Sequence, residues 1–370
     1  MLQKTMRAAR LHDREGRFQV DEVPMPAVRE HDVLVDVKAA CVLPNLPNVI
    51  RNFSSWFPHL PLPKLPAIYG LDSAGIVVEV GSQVRGDVKV GDRVYVNPGL
   101  SCGTCRPCRL GNDIFCDSYT FMGYFGFEPG SAQTFEDYPY GGFGEFLVAP
   151  ARNLVKLPGN LSFEGATRFG YTGTAFSGFR KAGFGPGQTA LVDGGTGVLG
   201  VGAVISALAL GASKIFATGR NRALLSHLKS IAPERILTYG MDEDIVAAVM
   251  AETDGYGVDV AMQCLGAMAP AEEGMRTLLA VRRGGAFVNT GGVHTDLPVD
   301  STDLMVNQKR LIGSRWFTTG EGQMMADLAK AGMLRMSVFE TLGFSIDEVN
   351  EAIDALDQRK GGFTNIVVRQ

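Results

Sequence analysis

Along the first 150 residues, apolar and polar positions alternate in short runs broken by Gly and Pro, the pattern of half-buried β-strands. Val33-Leu34-Val35-Asp36-Val37, Gly75-Ile76-Val77-Val78-Glu79-Val80 and Gly91-Asp92-Arg93-Val94-Tyr95-Val96 are the clearest examples. The pattern shifts near Pro158. Apolar runs of strand length then recur at 189–193, 214–218, 235–239, 258–263 and 285–289. Between them lie Ala- and Leu-rich segments of helical period, such as 198–210 and 242–253. Strand and helix in alternation predict a parallel sheet covered on both faces. Beyond residue 300 the pattern predicts a strand over 310–315, helices over 323–331 and 346–356, and a last strand over 365–369. The fold class expected is α/β, a β-rich domain joined to a doubly wound parallel sheet.

Composition narrows the function. The chain has 370 residues, 45% hydrophobic and 20% charged, enough for two globular domains. A net charge of -4 without a long basic run excludes the electrostatic footprint of a nucleic-acid binder. No apolar stretch reaches the ~20 residues that span a bilayer. The N-terminal segment carries scattered charges and no apolar core of a secretory signal, so a cytoplasmic setting is expected.

One glycine pattern carries chemistry. Gly195-Thr196-Gly197-Val198-Leu199-Gly200 follows the apolar strand Ala190-Leu191-Val192 and opens a helix. The first Gly allows the tight turn, the second lets backbone approach a pyrophosphate, and the third lets helix and strand pack closely. This is the phosphate loop of a dinucleotide-binding Rossmann unit. NAD sites place a carboxylate at the end of the second strand, to hold the ribose 2′-hydroxyl. Here that end reads Gly219-Arg220-Asn221-Arg222. A cation there pairs with a 2′-phosphate, which selects NADP(H) over NAD(H).

Four of the six cysteines lie within fifteen residues, as Cys102-x2-Cys105-x2-Cys108-x7-Cys116. Four thiolates at this spacing can wrap one tetrahedral Zn²⁺ and leave no open position, so the metal's role would be structural. Cys264 ends an apolar strand and reads as a small buried hydrophobe.

The chain resembles the zinc-containing alcohol dehydrogenase family of medium-chain dehydrogenases over nearly its whole length. The markers are the four-Cys lobe, Gly70-Leu71-Asp72-Ser73-Ala74-Gly75, Val90-Gly91-Asp92-Arg93-Val94, Gly141-Gly142-Phe143-Gly144-Glu145-Phe146 and the phosphate loop. The resemblance implies a GroES-like catalytic domain at 1–157 and 300–370 around a Rossmann domain at 158–299. It also implies a homodimer or homotetramer in which Rossmann sheets meet edge to edge, and it places the nicotinamide-side threonine at Thr174.

The family's catalytic zinc is where the match fails. Its first ligand falls on Cys41, but its second falls on Leu71 and its third on Gly170 or, one residue on, Tyr171. The family's proton-relay hydroxyl and the Asp after it become Leu43 and Pro44. Cys41 alone cannot build a three-ligand site, and a rescue would need Asp72 and His59. The expectation is hydride transfer without catalytic zinc, to a carbonyl, an enone or a quinone, with Cys41, Asp72 and Tyr171 as candidate catalytic residues. Aromatics crowd 53–60 and 119–140, which points to a small apolar or aromatic substrate. Two other readings stand beside this one: a zinc alcohol dehydrogenase with Cys41 and Asp72 as substituted ligands, and a non-enzymatic NADP(H)-binding homologue.

Overall fold

Six strands pair side by side, all parallel, in the order Ile236–Gly240, Lys214–Gly219, Thr189–Asp193, Val258–Gln263, Val281–Asn289, Arg310–Gly313. This computed structural model describes residues 4–267, 269–293 and 296–370. The central strands are buried on both faces, which is why they read as continuous apolar runs. Strand order reverses between Thr189–Asp193 and Val258–Gln263, and a crevice opens at that switch point. The last strand corrects the expected domain boundary. The resemblance places residues 300–313 in the catalytic domain, but Arg310–Gly313 extends the Rossmann sheet as its outer edge.

The second domain is built from both ends of the chain. Its main sheet runs Leu154–Lys156, Arg93–Val96, Ser73–Val80, Asp32–Cys41, Thr364–Arg369, Glu340–Ser345, with Phe146–Pro150 also pairing Asp32–Cys41. The C-terminal strand meets the end of Asp32–Cys41 at the pairs Val367↔Cys41 and Val368↔Ala40. Phe18–Pro24, Thr5–Leu11 and Ala67–Ile68 form a smaller sheet. Among the described residues no helix is long and apolar enough to cross a membrane.

The helix Phe169–Ala182 joins the two domains. Its glycines cost helix propensity, roughly 1 kcal/mol each against Ala, and each is used for close approach. A Cβ at Gly173 would lie 2.4 Å from the Phe317 ring, and the Cα of Thr172 lies 3.0 Å from where Gly202 would carry a Cβ. Gly183, at φ +73, ends the helix in the left-handed region.

Candidate functional site

The phosphate loop takes its shape from backbone bonds. The Gly195 N–H donates to the Thr218 carbonyl at 2.7 Å, and the Gly197 N–H to the Gly194 carbonyl at 3.0 Å. A Cβ at Gly200 would fall 2.1 Å from the Gly194 oxygen, so only glycine lets the helix Val198–Ala209 start so close to its strand. Gly197 caps that helix with no side chain, which leaves its first-turn N–H groups free for an anion. A cleft of about 500 Å³ lies over them, lined by Thr196, Gly197, Val198, Gly219, Arg220 and Asn221 among others. The loop and cleft fit a dinucleotide.

The remaining expected cofactor residues are placed differently. Gly195 is turned inward, and Leu199 packs at the margin of the core. Buried Thr174 lies on the Phe169–Ala182 helix, where its hydroxyl donates to the Gly170 carbonyl at 2.9 Å. Asn221 caps the helix Arg222–Ser230 by accepting from the N–H groups of Ala223 and Leu224. Arg222 is paired with Asp242 and Glu243, both at 2.7 Å. Arg220 is exposed at the cleft with no ion-pair or hydrogen-bond partner among the described residues. Cys264, nearly buried, also borders the cleft. The segment 359–362 covers the loop from the other domain: Arg359 and Gly361 line the cleft, and the Gly362 N–H donates to the Thr196 carbonyl at 2.8 Å.

The four lobe cysteines come together as the spacing requires. Their sulfurs all lie within 4.8 Å of one another, close to the ~3.8 Å edge of a tetrahedron with ~2.3 Å Zn–S bonds. Backbone N–H groups of Thr104 and Cys105 point at Cys102 Sγ, and those of Cys102 and Ser118 at Cys116 Sγ. Donors aimed at sulfur favour thiolates, the form a metal binds. All six cysteines are free.

Cys41, Asp72 and Tyr171 do converge, in a buried polar group between the domains. Asp72 accepts a hydrogen bond from the Tyr95 hydroxyl at 2.5 Å, and its Oδ2 is buried with no hydrogen-bond partner among the described residues. Burial raises its carboxyl to about 7, although Tyr95, the Arg168 charge and the Gly170 N–H all pull the other way. The carboxylate rests on the first turn of the helix Phe169–Ala182, and a Cβ at Gly170 would lie 2.2 Å from Asp72 Oδ2. Cys41 ends its strand fully buried, and its thiol donates to Asn365 Oδ1 at 3.6 Å. Burial pushes that thiol up to about 12, so it stays protonated. Tyr171 is raised by burial as well, and its ring faces the Arg168 guanidinium at 6.0 Å.

Arg168, Tyr95, Tyr124 and Asn365 belong to this group and carry no motif. Arg168 is 2% exposed, sits over the Phe339 ring at 4.5 Å, and donates to the Gly362 carbonyl at 2.9 Å. Its position before the family's third ligand site was the available signal. His59 is exposed and takes no part. Among the described residues, the lobe cysteines alone bring three or more His, Cys, Asp or Glu ligand atoms together.

The two aromatic stretches pack on each other. Phe53 stacks on Phe125 at 4.6 Å, and Phe121 meets Trp316 at 4.4 Å. Five of the eleven rings in these stretches are buried and five half-buried, while Trp56 is 39% exposed.

The alcohol dehydrogenase GroES-like domain matches residues 29–159, and the zinc-binding dehydrogenase domain matches 198–331. Over 355 residues the chain is 28% identical to the "Probable D-xylulose reductase A" of Aspergillus clavatus, covering 94% of this chain and 92% of that one. It is 29% identical over 359 residues to the L-threonine 3-dehydrogenase of Salmonella newport, covering 96% and 97%. The crystal structure of AibC superposes with a TM-score of 0.83 at 26% identity, covering 100% of this chain and 96% of that one. Two domain matches over most of the chain, on a GroES-like domain joined to a Rossmann sheet, make this protein an oxidoreductase of the zinc-containing alcohol dehydrogenase family, in the medium-chain dehydrogenase/reductase superfamily.

Proposed function

We propose that this oxidoreductase is an NADP(H)-dependent reductase of apolar carbonyl compounds, enones or quinones, working without a catalytic zinc. The observation that carries this reading is the Asp72 carboxylate resting on Gly170. The family's third ligand position has no room for a side chain, and its second is the buried, apolar Leu71. Arg220, unpartnered at the cofactor cleft, supports the phosphorylated dinucleotide. When bound, the reduced nicotinamide supplies a hydride. The chain supplies the proton: an Asp72 carboxyl raised to about 7 is still partly protonated at neutral pH, and Tyr95 fixes its orientation. The proton goes to the product oxygen, or to the α-carbon of an enone, as the hydride reaches carbon. The relatives' names point to polar polyol and amino-alcohol substrates. The aromatic cluster and the altered ligand positions argue against carrying those substrates over.

Four free thiols gathered for a metal fit a reducing, cytoplasmic compartment. The outer edge of the Rossmann sheet fits a homodimer. Its strand Arg310–Gly313 is largely exposed, and Leu311, Met305 and Val306 are 47%, 71% and 63% exposed beside it.

The test is NADPH oxidation across a panel of enones, quinones, aldehydes and ketones, with zinc quantified on the same sample. The expected result is one zinc per chain, and turnover of one or more of these classes with NADPH preferred to NADH. Two zincs per chain, with oxidation of simple alcohols by NAD alone, would overturn the reading.

A further inference from the structure

The long connection after the cysteine lobe delivers one more group to the buried cluster. Gly123 has φ +64, and a Cβ there would lie 2.5 Å from Gly141 Cα and 3.3 Å from the Gly70 oxygen. Glycine therefore lets this turn press onto the backbone beside Leu71 and Asp72. The next residue, Tyr124, is buried, with its ring against Phe125 at 5.1 Å. Its hydroxyl is shut from solvent and has no hydrogen-bond partner among the described residues. The groups that act on it are Tyr171, Asp72, Tyr69 and Cys41. An unbonded buried hydroxyl costs stability, and phenylalanine would serve better if the ring were needed only for packing. Asp72 Oδ2, in the same cluster, is likewise buried and unpartnered.

We propose that the Tyr124 hydroxyl is the hydrogen-bond donor that holds the oxygen of a carbonyl substrate, taking the part that a Lewis acid plays elsewhere in the family. The assignment rests on the reductase reading and names the residue that binds its substrate oxygen. As hydride adds to the carbonyl carbon, or to the β-carbon of an enone, the π pair moves onto that oxygen. The Tyr124 O–H stabilises the growing charge, and Asp72 gives the proton that completes the product and takes one back from water admitted as the product leaves. The partners left unbonded in the free protein, Tyr124 O–H and Asp72 Oδ2, thereby find a ligand that uses both.

The test is Tyr124→Phe in the NADPH-loaded protein, with cinnamamide as an unreactive stand-in for an aromatic enal. Because the hydroxyl bonds nothing among the described residues, the variant should keep or raise its unfolding temperature and keep its NADPH affinity. Its kcat/KM on the preferred carbonyl should fall at least about 100-fold. Its cinnamamide Kd should rise at least about tenfold. Full turnover in the variant, or equal cinnamamide affinity in the two proteins, overturns the assignment. Wild-type protein that turns over no carbonyl yet loses cinnamamide on Tyr124→Phe would sink the reductase reading and keep the oxygen site.

Discussion

A methyl group at position 170 would have nowhere to go, because the Asp72 carboxylate occupies that space. The two residues read as a pair: one side chain is deleted so that another can rest on a helix N-terminus. The environment then decides what Asp72 does. Its carboxyl rises from 3.8 to about 7 because burial outweighs the Tyr95 hydrogen bond, the Arg168 charge and the Gly170 N–H. Between about pH 4 and 7 the unfolded chain releases this proton while the folded chain keeps it. Stability should therefore fall with rising pH through that window and level off above it. Asp72→Asn removes this term. Relative to wild type, the variant should gain on the order of 4 kcal/mol between pH 4 and pH 8, read by urea unfolding at each pH. The reductase activity of wild type should decline above about pH 7, a limb the variant lacks. A stability difference independent of pH would show that Asp72 is not held as described.

At the scale of elements, the strand–loop–helix unit around Gly195–Gly200 is the part most legible in the sequence. Its glycines, strand and helix are contiguous, and local backbone geometry dictates them. The same holds for the four cysteines, whose spacing alone brings their sulfurs together. The next turn separates three residues that looked alike in the sequence. Asn221 is used as a cap, Arg222 is used by Asp242 and Glu243, and Arg220 is left for a ligand. Arg220→Ala should therefore raise the Kd of NADPH by about 10- to 100-fold and move that of NADH by less than about threefold, measured by titration calorimetry. Equal loss for both cofactors would refute a 2′-phosphate role. The helix Phe169–Ala182 escaped the sequence pattern because glycine argues against helix locally, and only Asp72, Phe317 and the Val198–Ala209 helix make those glycines sensible. Arg168, Tyr95 and Asn365 were invisible for a similar reason, and Tyr124 was one ring among the eight of 119–140 with nothing local to single it out. They come from four distant segments and acquire a role only when those segments pack together. The strand Glu340–Ser345 escaped too, since it is short and exposed along most of its length.

At the scale of the molecule, the candidate site belongs to neither domain alone. Arg168 leads into the helix that flanks the Rossmann sheet, yet it faces Cys41 and Asp72 and holds the Gly362 carbonyl. Gly362 in turn donates to Thr196 in the phosphate loop. The sheet also ends in an unfinished edge. Arg310–Gly313 offers ladder groups on its outer side, with Leu311, Met305 and Val306 exposed nearby. An open edge of this kind invites association unless it is charged or covered. Here Arg310 is the one charged residue of the strand, and its guanidinium donates to the Ala182 carbonyl and so is already engaged. Two copies meeting at this edge would continue the sheet and bury three apolar side chains from each. Leu311→Asp puts a carboxylate from each copy into such an interface, so both desolvation and like charge oppose pairing. Light scattering on the purified protein should give about 80 kDa for wild type from a 39.7 kDa chain. The variant should approach the mass of one chain, with NADPH affinity and zinc content retained, because Leu311 neither lines the cofactor cleft nor belongs to the four-cysteine cluster. A variant that remains a dimer would place the interface on another face.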